Sequence, residues 1–183
     1  MPARHLLIVS ATHAEAAHVP AGLPLVVTGL GKTAAATATA QALAGLDRNG
    51  LTVINIGTAG ALRDGLDGIH LPGTVLNHDI NAAAIRALGY DPQERLNVDD
   101  GDDTVLATGD VFVTDPVVRD ALAERADLVD MEGYAVVYAC RQYDVPVRLV
   151  KHVSDGADET AFDWPSVVAA SARALGEWLR LNV

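Results

Sequence analysis

The segment from Pro146 to Val153 is nearly unbroken in apolar and β-branched residues until Ser154-Asp155-Gly156 interrupts it. Such a run suits a strand buried on both faces of a mainly parallel sheet, which demands helices above and below it. The preceding residues supply one. Glu132 to Tyr143 places Ala135, Val136, Ala139 and Cys140 on a single helical face, and Ala126 to Met131 before it reads as a short strand. Each strand is followed by an acid, Glu132 after the first and Asp155 at the end of the second, with Asp158 close by. Ligands in open α/β sheets gather at the carboxyl ends of strands, so the two carboxylates are expected to face one crevice. Either acid taken singly serves equally well as a helix cap or a solvated loop residue; their joint occurrence marks a site.

The same alternation runs through the whole chain. Strand patterns fall at His5 to Ser10, Leu25 to Thr28, Leu51 to Ile56, Thr74 to Asp79, Thr104 to Thr108, Leu128 to Met131 and Val147 to Val153. Helical patterns fall at Lys32 to Leu46, Asp115 to Arg125, Glu132 to Tyr143 and about Trp164 to Leu181, and Asp115-Pro116 is a helix start signal. The expected fold class is therefore α/β: a single three-layer domain over residues 1–183, with a mixed, mainly parallel central sheet flanked by helices. Tyr90 to Asp103, rich in Asp with one Pro and one Gly, reads as a polar loop.

A chain of 183 residues, half of them hydrophobic, can bury a full core. Its formal charge of −11 repels nucleic-acid backbones and anionic membranes, which leaves a neutral or cationic small molecule as the easier ligand. No apolar run reaches the roughly 18 residues of a membrane span, and Leu6 to Val9 is too short for a signal-peptide core, so a cytoplasmic location is expected. Cys140, the one cysteine, permits no internal disulfide and reads as a core residue.

Several motifs invite other assignments. Gly31-Lys32-Thr33 ends like a phosphate-binding loop, but Val26 stands where its first glycine is required. Gly29-Leu30-Gly31-Lys32-Thr33-Ala34 fits a dinucleotide-binding turn, yet the next strand ends in Asn55-Ile56 without the acid that holds a ribose hydroxyl. Neither nicotinamide nor flavin is expected. His13, His78 and His152 lack zinc-site spacing, so no metal is expected, and no serine lies in a G-x-S-x-G elbow. Gly57-Thr58-Ala59-Gly60-Ala61 closes a strand, either as a tight turn or as amides and a hydroxyl lining the crevice.

Taken together, these residues resemble the nucleoside phosphorylase and nucleosidase superfamily, most closely the methylthioadenosine/S-adenosylhomocysteine nucleosidases. The resemblance spans nearly the whole chain. It rests on Leu7 to Glu15, Thr28 to Lys32, Asn55 to Gly60, Thr108 to Phe112, Val129-Asp130-Met131-Glu132 and Val153 to Asp158. It implies a nucleoside phosphorylase-like fold and an N-glycosyl hydrolase that frees the base of a purine nucleoside. Asp155 would hydrogen-bond or protonate purine N7, positioned by Ser154. Glu132 would accept from the ribose 2′- and 3′-hydroxyls, above Met131. Glu15 would activate or orient the attacking water with Thr58, and Ala59 and Gly60 would line the same crevice. Phe112 would stack on the base, Val113 would present backbone groups to its edge, and Phe162 would line the 5′-substituent pocket. No cofactor is implied, and a homodimer is.

Phosphorolysis would need arginines to clamp phosphate. Asn55 and the arginine-free segment Ser10 to Val19 stand where related phosphorylases carry them, so water is the expected nucleophile. Two departures bear on the substrate: the chain is short between Tyr90 and Thr104, and Thr12 replaces a methionine that usually meets a 5′-thioalkyl group. Other purine nucleosides, phosphorolysis, and a non-catalytic nucleoside-binding role remain as alternatives.

Overall fold

Helices separate groups of one to three strands along the chain. The computed structural model describes residues 5–183. The strands are β1 (His5–Ser10), β2 (Leu25–Val27), β3 (Leu51–Ala61), β4 (Ile69–His70), β5 (Pro72–Asn77), β6 (Arg95–Asn97), β7 (Asp102–Thr108), β8 (Leu128–Asp130) and β9 (Val147–Asp155). The helices are α1 (Lys32–Ala44), α2 (Ala82–Ala87), α3 (Pro116–Ala123), α4 (Gly133–Gln142) and α5 (Trp164–Asn182), the last preceded by a 3-10 turn at Glu159–Asp163. The strands form one mixed sheet in the order β2-β1-β3-β8-β7-β5-β6, with β9 on β3 and β4 on β9. Pairs β1–β2, β1–β3, β3–β9, β5–β7 and β7–β8 are parallel. Pairs β3–β8, β4–β9 and β5–β6 are antiparallel.

Alternating residues of the central strands sort into two cores, as a pleat with helices on both faces must. Leu7, Val9 and Val53 pack with Ala35 and Leu43 of α1 and with Val136 and Cys140 of α4. Ile8, Ile54, Ile56 and Val150 point the other way, onto Leu175 and Leu179 of α5. Cys140 is fully buried, and burial pushes its thiol pKa up to about 12.

Four sequence expectations change. β3 is 11 residues long and runs on through Gly57 to Ala61, so the segment does not follow the strand but belongs to it; of its two readings the tight turn does not form, and Thr58, Ala59 and Gly60 line the cavity. The glycines serve close packing: a Cβ on Gly57 would lie 3.3 Å from both Glu15 Oε1 and Lys151 Nζ. Tyr90 to Asp103 is not all loop, since Arg95–Asn97 forms β6 against β5. Helix α2, capped by the Asn81 side chain, and the two-residue β4 were not anticipated. Finally, β8 and β9 do not present equivalent ends: β9 runs parallel to β3 and β8 antiparallel to it. Their acids meet because both strands flank Gly60, which pairs with Val129 of β8 and Asp155 of β9.

The loop after β1 is seated on α5 by a close backbone approach. A Cβ on Gly176 would stand 2.4 Å from the His18 carbonyl oxygen, which is backbone and cannot swing away. Gly176→Ala is expected to destabilise the protein by ~1–3 kcal/mol through overpacking, measured by urea unfolding. An unchanged midpoint would show that this approach is not required.

Candidate active site

The site forms where the edge of β3 changes partners. β1 pairs with β3 only as far as Asn55, and β8 takes up pairing at Gly60. Between them the Thr58 N–H is met by a side chain: it donates to Glu15 Oε1 at 2.8 Å, and the Thr58 hydroxyl donates to the same oxygen at 2.8 Å. Glu15 Oε2 accepts from the Thr12 N–H at 3.1 Å and the Thr12 hydroxyl at 2.8 Å. Glu15 is therefore buried with both oxygens held by two donors each. A carboxylate standing in for a missing strand is how the sheet satisfies its open edge.

Behind Glu15 lies Lys151 of β9, a fully buried lysine. Its ammonium pairs with Asp130 Oδ2 at 2.8 Å. Asp130 in turn accepts from the Thr108 hydroxyl at 2.6 Å and from the Gly133 N–H at 2.9 Å, tying β7, β8 and α4 together. Burial works against the charge on Lys151, but Asp130, Glu132 and Glu15 outweigh it and hold its pKa above the ordinary value. Glu132, also buried, is pushed from 4.5 to about 7 by burial and by the neighbouring Asp130 charge. Its Oε1 accepts from the Gly31 N–H at 2.7 Å. A ligand would meet the other oxygen.

That contact fixes the glycine-rich turn before α1. The Lys32 N–H donates to Asp110 Oδ1 at 2.7 Å, while the Lys32 ammonium bonds Asn77 at 2.8 Å and pairs with Asp79. The amides that a dinucleotide fold would turn to pyrophosphate are thus occupied by carboxylates.

A cavity of about 450 Å3 opens in front of these groups. Thr58, Ala59 and Gly60 form its floor, with Glu15 and Glu132 on it. Asp155 and Ser154 stand beside Gly60: the Ser154 hydroxyl donates to Asp155 Oδ2 at 2.6 Å and the Ala157 N–H to Oδ1 at 2.9 Å. Ala157 adopts φ 52°, a left-handed backbone that points this N–H back at the carboxylate. Met131, Phe112, Val113 and Phe162 complete the walls, the two phenylalanine rings edge to face at 6.4 Å. The eleven residues given a site role by the resemblance all line this one cavity, and Asp158 does not. Missed were Lys151, Asp130, Leu30, Val111 and Trp164. Lys151 lay inside an apolar strand, where a lysine is itself the signal of a buried charge pair; Trp164 carried none. Among the described residues, no group of three or more His, Cys, Asp or Glu is placed to hold a metal ion.

A mixed sheet between helical layers, with three carboxylates on one apolar-walled cavity, defines a nucleoside phosphorylase-like protein. The phosphorylase superfamily model matches residues 83–179, more than half of the chain, and the chain belongs to that superfamily. A 5′-methylthioadenosine/S-adenosylhomocysteine nucleosidase of Shewanella frigidimarina is 28% identical over 180 residues, covering 81% of this chain and 76% of that one. The same-named enzyme of Buchnera aphidicola is 29% identical over 138 residues, 61% of this chain, which spans only 54% of it. The crystal structure of the Helicobacter pylori nucleosidase of that name, complexed with a pyrrolidine ligand, superimposes with a TM-score of 0.83 over 96% of each chain at 20% identity.

Two outcomes test the electrostatics. Lys151→Met leaves the carboxylates without their cation and is expected to cost ~3–5 kcal/mol of stability in urea unfolding; a loss under ~1 kcal/mol would contradict the pairing. Because Glu132 is raised from 4.5 to about 7, the folded protein keeps a proton that the unfolded chain releases, so the Glu132 contribution is full below pH 4.5 and lost as pH rises to about 7. Stability is expected to fall across that window, and to fall less steeply in Glu132→Gln.

Proposed function

We infer that this protein is a purine nucleoside N-glycosidase that uses water to release the free base from a methylthioadenosine- or S-adenosylhomocysteine-like nucleoside. The observation that carries the reading is the convergence of Asp155, Glu132 and Glu15 on one cavity whose lining contains neither arginine nor lysine. A phosphate co-substrate would meet four acids and no arginine or lysine on that lining, whereas a sugar acquiring positive charge would be stabilised by the acids.

The geometry supports a task for each group. With the Ala157 N–H on Oδ1, Oδ2 is the Asp155 oxygen that would meet purine N7, held in place by the Ser154 hydroxyl. As N7 is protonated the N-glycosidic bond lengthens and its electron pair leaves with the base. Glu132 holds the ribose hydroxyls over Met131 while the ring takes on oxocarbenium character. Water held at Glu15 and Thr58 then adds to the anomeric carbon and passes its proton to the protein. Phe112 and Val113 face the base and Phe162 the 5′ group. The aromatic and aliphatic walls exclude bulk water from competing with these contacts.

We further infer a cytoplasmic homodimer. Leu30, Val111, Phe112 and Phe162 form an exposed apolar rim at the cavity mouth, which a second copy would cover. Among the described residues no helix is long and apolar enough to cross a membrane.

Chromatography of incubations with methylthioadenosine, S-adenosylhomocysteine, adenosine, inosine and guanosine tests the reaction. Base release without phosphate is expected from at least one, falling at least about a hundredfold in Asp155→Asn. Strict phosphate dependence would make the protein a phosphorylase, and no release from any nucleoside would leave a binding role.

A further inference from the structure

We propose that Trp164, the first residue of α5, is a positioning residue of the water-activating corner: its indole N–H fixes the direction of the Thr58 hydroxyl. The indole Nε1 donates to Thr58 Oγ1 at 2.9 Å, and Thr58 Oγ1 donates to Glu15 Oε1 at 2.8 Å. These two contacts leave the hydroxyl no freedom. A threonine hydroxyl has one proton and two lone pairs; the proton is committed to Glu15, one lone pair to the indole, and a single lone pair remains for the attacking water. Without the indole, the hydroxyl could turn away from Glu15 and offer its proton to the water, the wrong direction for activating a nucleophile.

The chain of donors also has a sense. Indole N–H to hydroxyl to carboxylate is a head-to-tail series, in which each bond polarises the next. Both Glu15 oxygens already receive two donors. The proton of the attacking water therefore reaches Glu15 most directly through Thr58: the water gives its proton to Thr58 Oγ1 as Thr58 passes its own to Glu15 Oε1. Trp164, which only donates, cannot take that proton and keeps the relay directed at the acid. The tryptophan also lines the cavity and is half-buried. A mere wall would be served equally by any large apolar ring; what distinguishes the proposal is the N–H.

The catalytic part of this inference rests on the hydrolase reading above, and the hydrogen-bond part does not, so two measurements separate them. The chain contains only two tryptophans, Trp164 and Trp178, and therefore shows two indole N–H signals in the 15N-labelled protein. They are assigned with Trp164→Phe or, should that variant not fold, Trp178→Phe. Glu15→Gln is expected to move the Trp164 signal and leave that of Trp178 in place, although Trp164 makes no hydrogen bond to Glu15. Thr58→Val should move it further upfield. In steady-state base release, Trp164→Phe should lower kcat roughly tenfold, the order expected for one oriented hydrogen bond, with KM within about twofold. The double variant with Thr58→Val should be no slower than Thr58→Val alone. A Trp164 signal indifferent to Glu15→Gln, a wild-type kcat in Trp164→Phe, or losses that multiply in the double variant would each overturn the proposal. If the native protein releases no base while the Trp164 signal follows Glu15, the hydrolase reading fails with the relay, and the hydrogen-bond chain stands.

Discussion

A single buried ammonium organises this protein. Lys151 sits within reach of the charges of Asp130, Glu132 and Glu15, and without it three buried carboxylates would repel one another. Desolvating four ionisable groups is costly, and the Coulombic return repays it only when remaining lone pairs are also satisfied. The surroundings meet that condition: Asp130 takes a hydroxyl and an amide besides the lysine, and Glu15 takes two hydroxyls and two amides. Glu132 is the least satisfied of the three, and its pKa of about 7 reflects burial first and the neighbouring Asp130 charge second.

The glycines of β3 make the cluster geometrically possible. Gly57 leaves room for the Glu15 and Lys151 side chains, and a Cβ on Gly60 would lie 2.9 Å from Asp155 Oδ1. With alanine at Gly60, the acid beside the cavity would have to shift. The central strand is thus extended backbone stripped of side chains where charged groups must approach it from both edges.

Much of this was legible in the sequence, and the failures share a cause. Apolar runs and helical spacing placed the layers, because burial on two faces leaves a direct imprint on composition. The acids after β8 and at the end of β9 were recognisable for the same reason, polar punctuation after apolar strands. The structure changed the reason they meet: strand sense is set by which edge β8 finds on β3, a long-range pairing with no local signature. Gly57 to Ala61 left both a turn and a crevice lining open, because glycine serves turns and close approaches alike. Lys151 and Trp164 have partners far away in sequence, Asp130 and Thr58, so a lone lysine in an apolar strand signalled a buried pair without naming its partner, and the tryptophan signalled nothing.

The two ends of the crevice are built on one strand. Thr58, beside Glu15, and Gly60, beside Asp155, are two residues apart on β3. At ~3.3 Å of rise per residue their separation is roughly 6–7 Å. The two backbone points to which these acids are fastened are therefore spaced by one strand. The residues at the mouth, Leu30, Val111, Phe112 and Phe162, lie outside that strand, so a change in their size would alter the opening without altering the spacing set by β3.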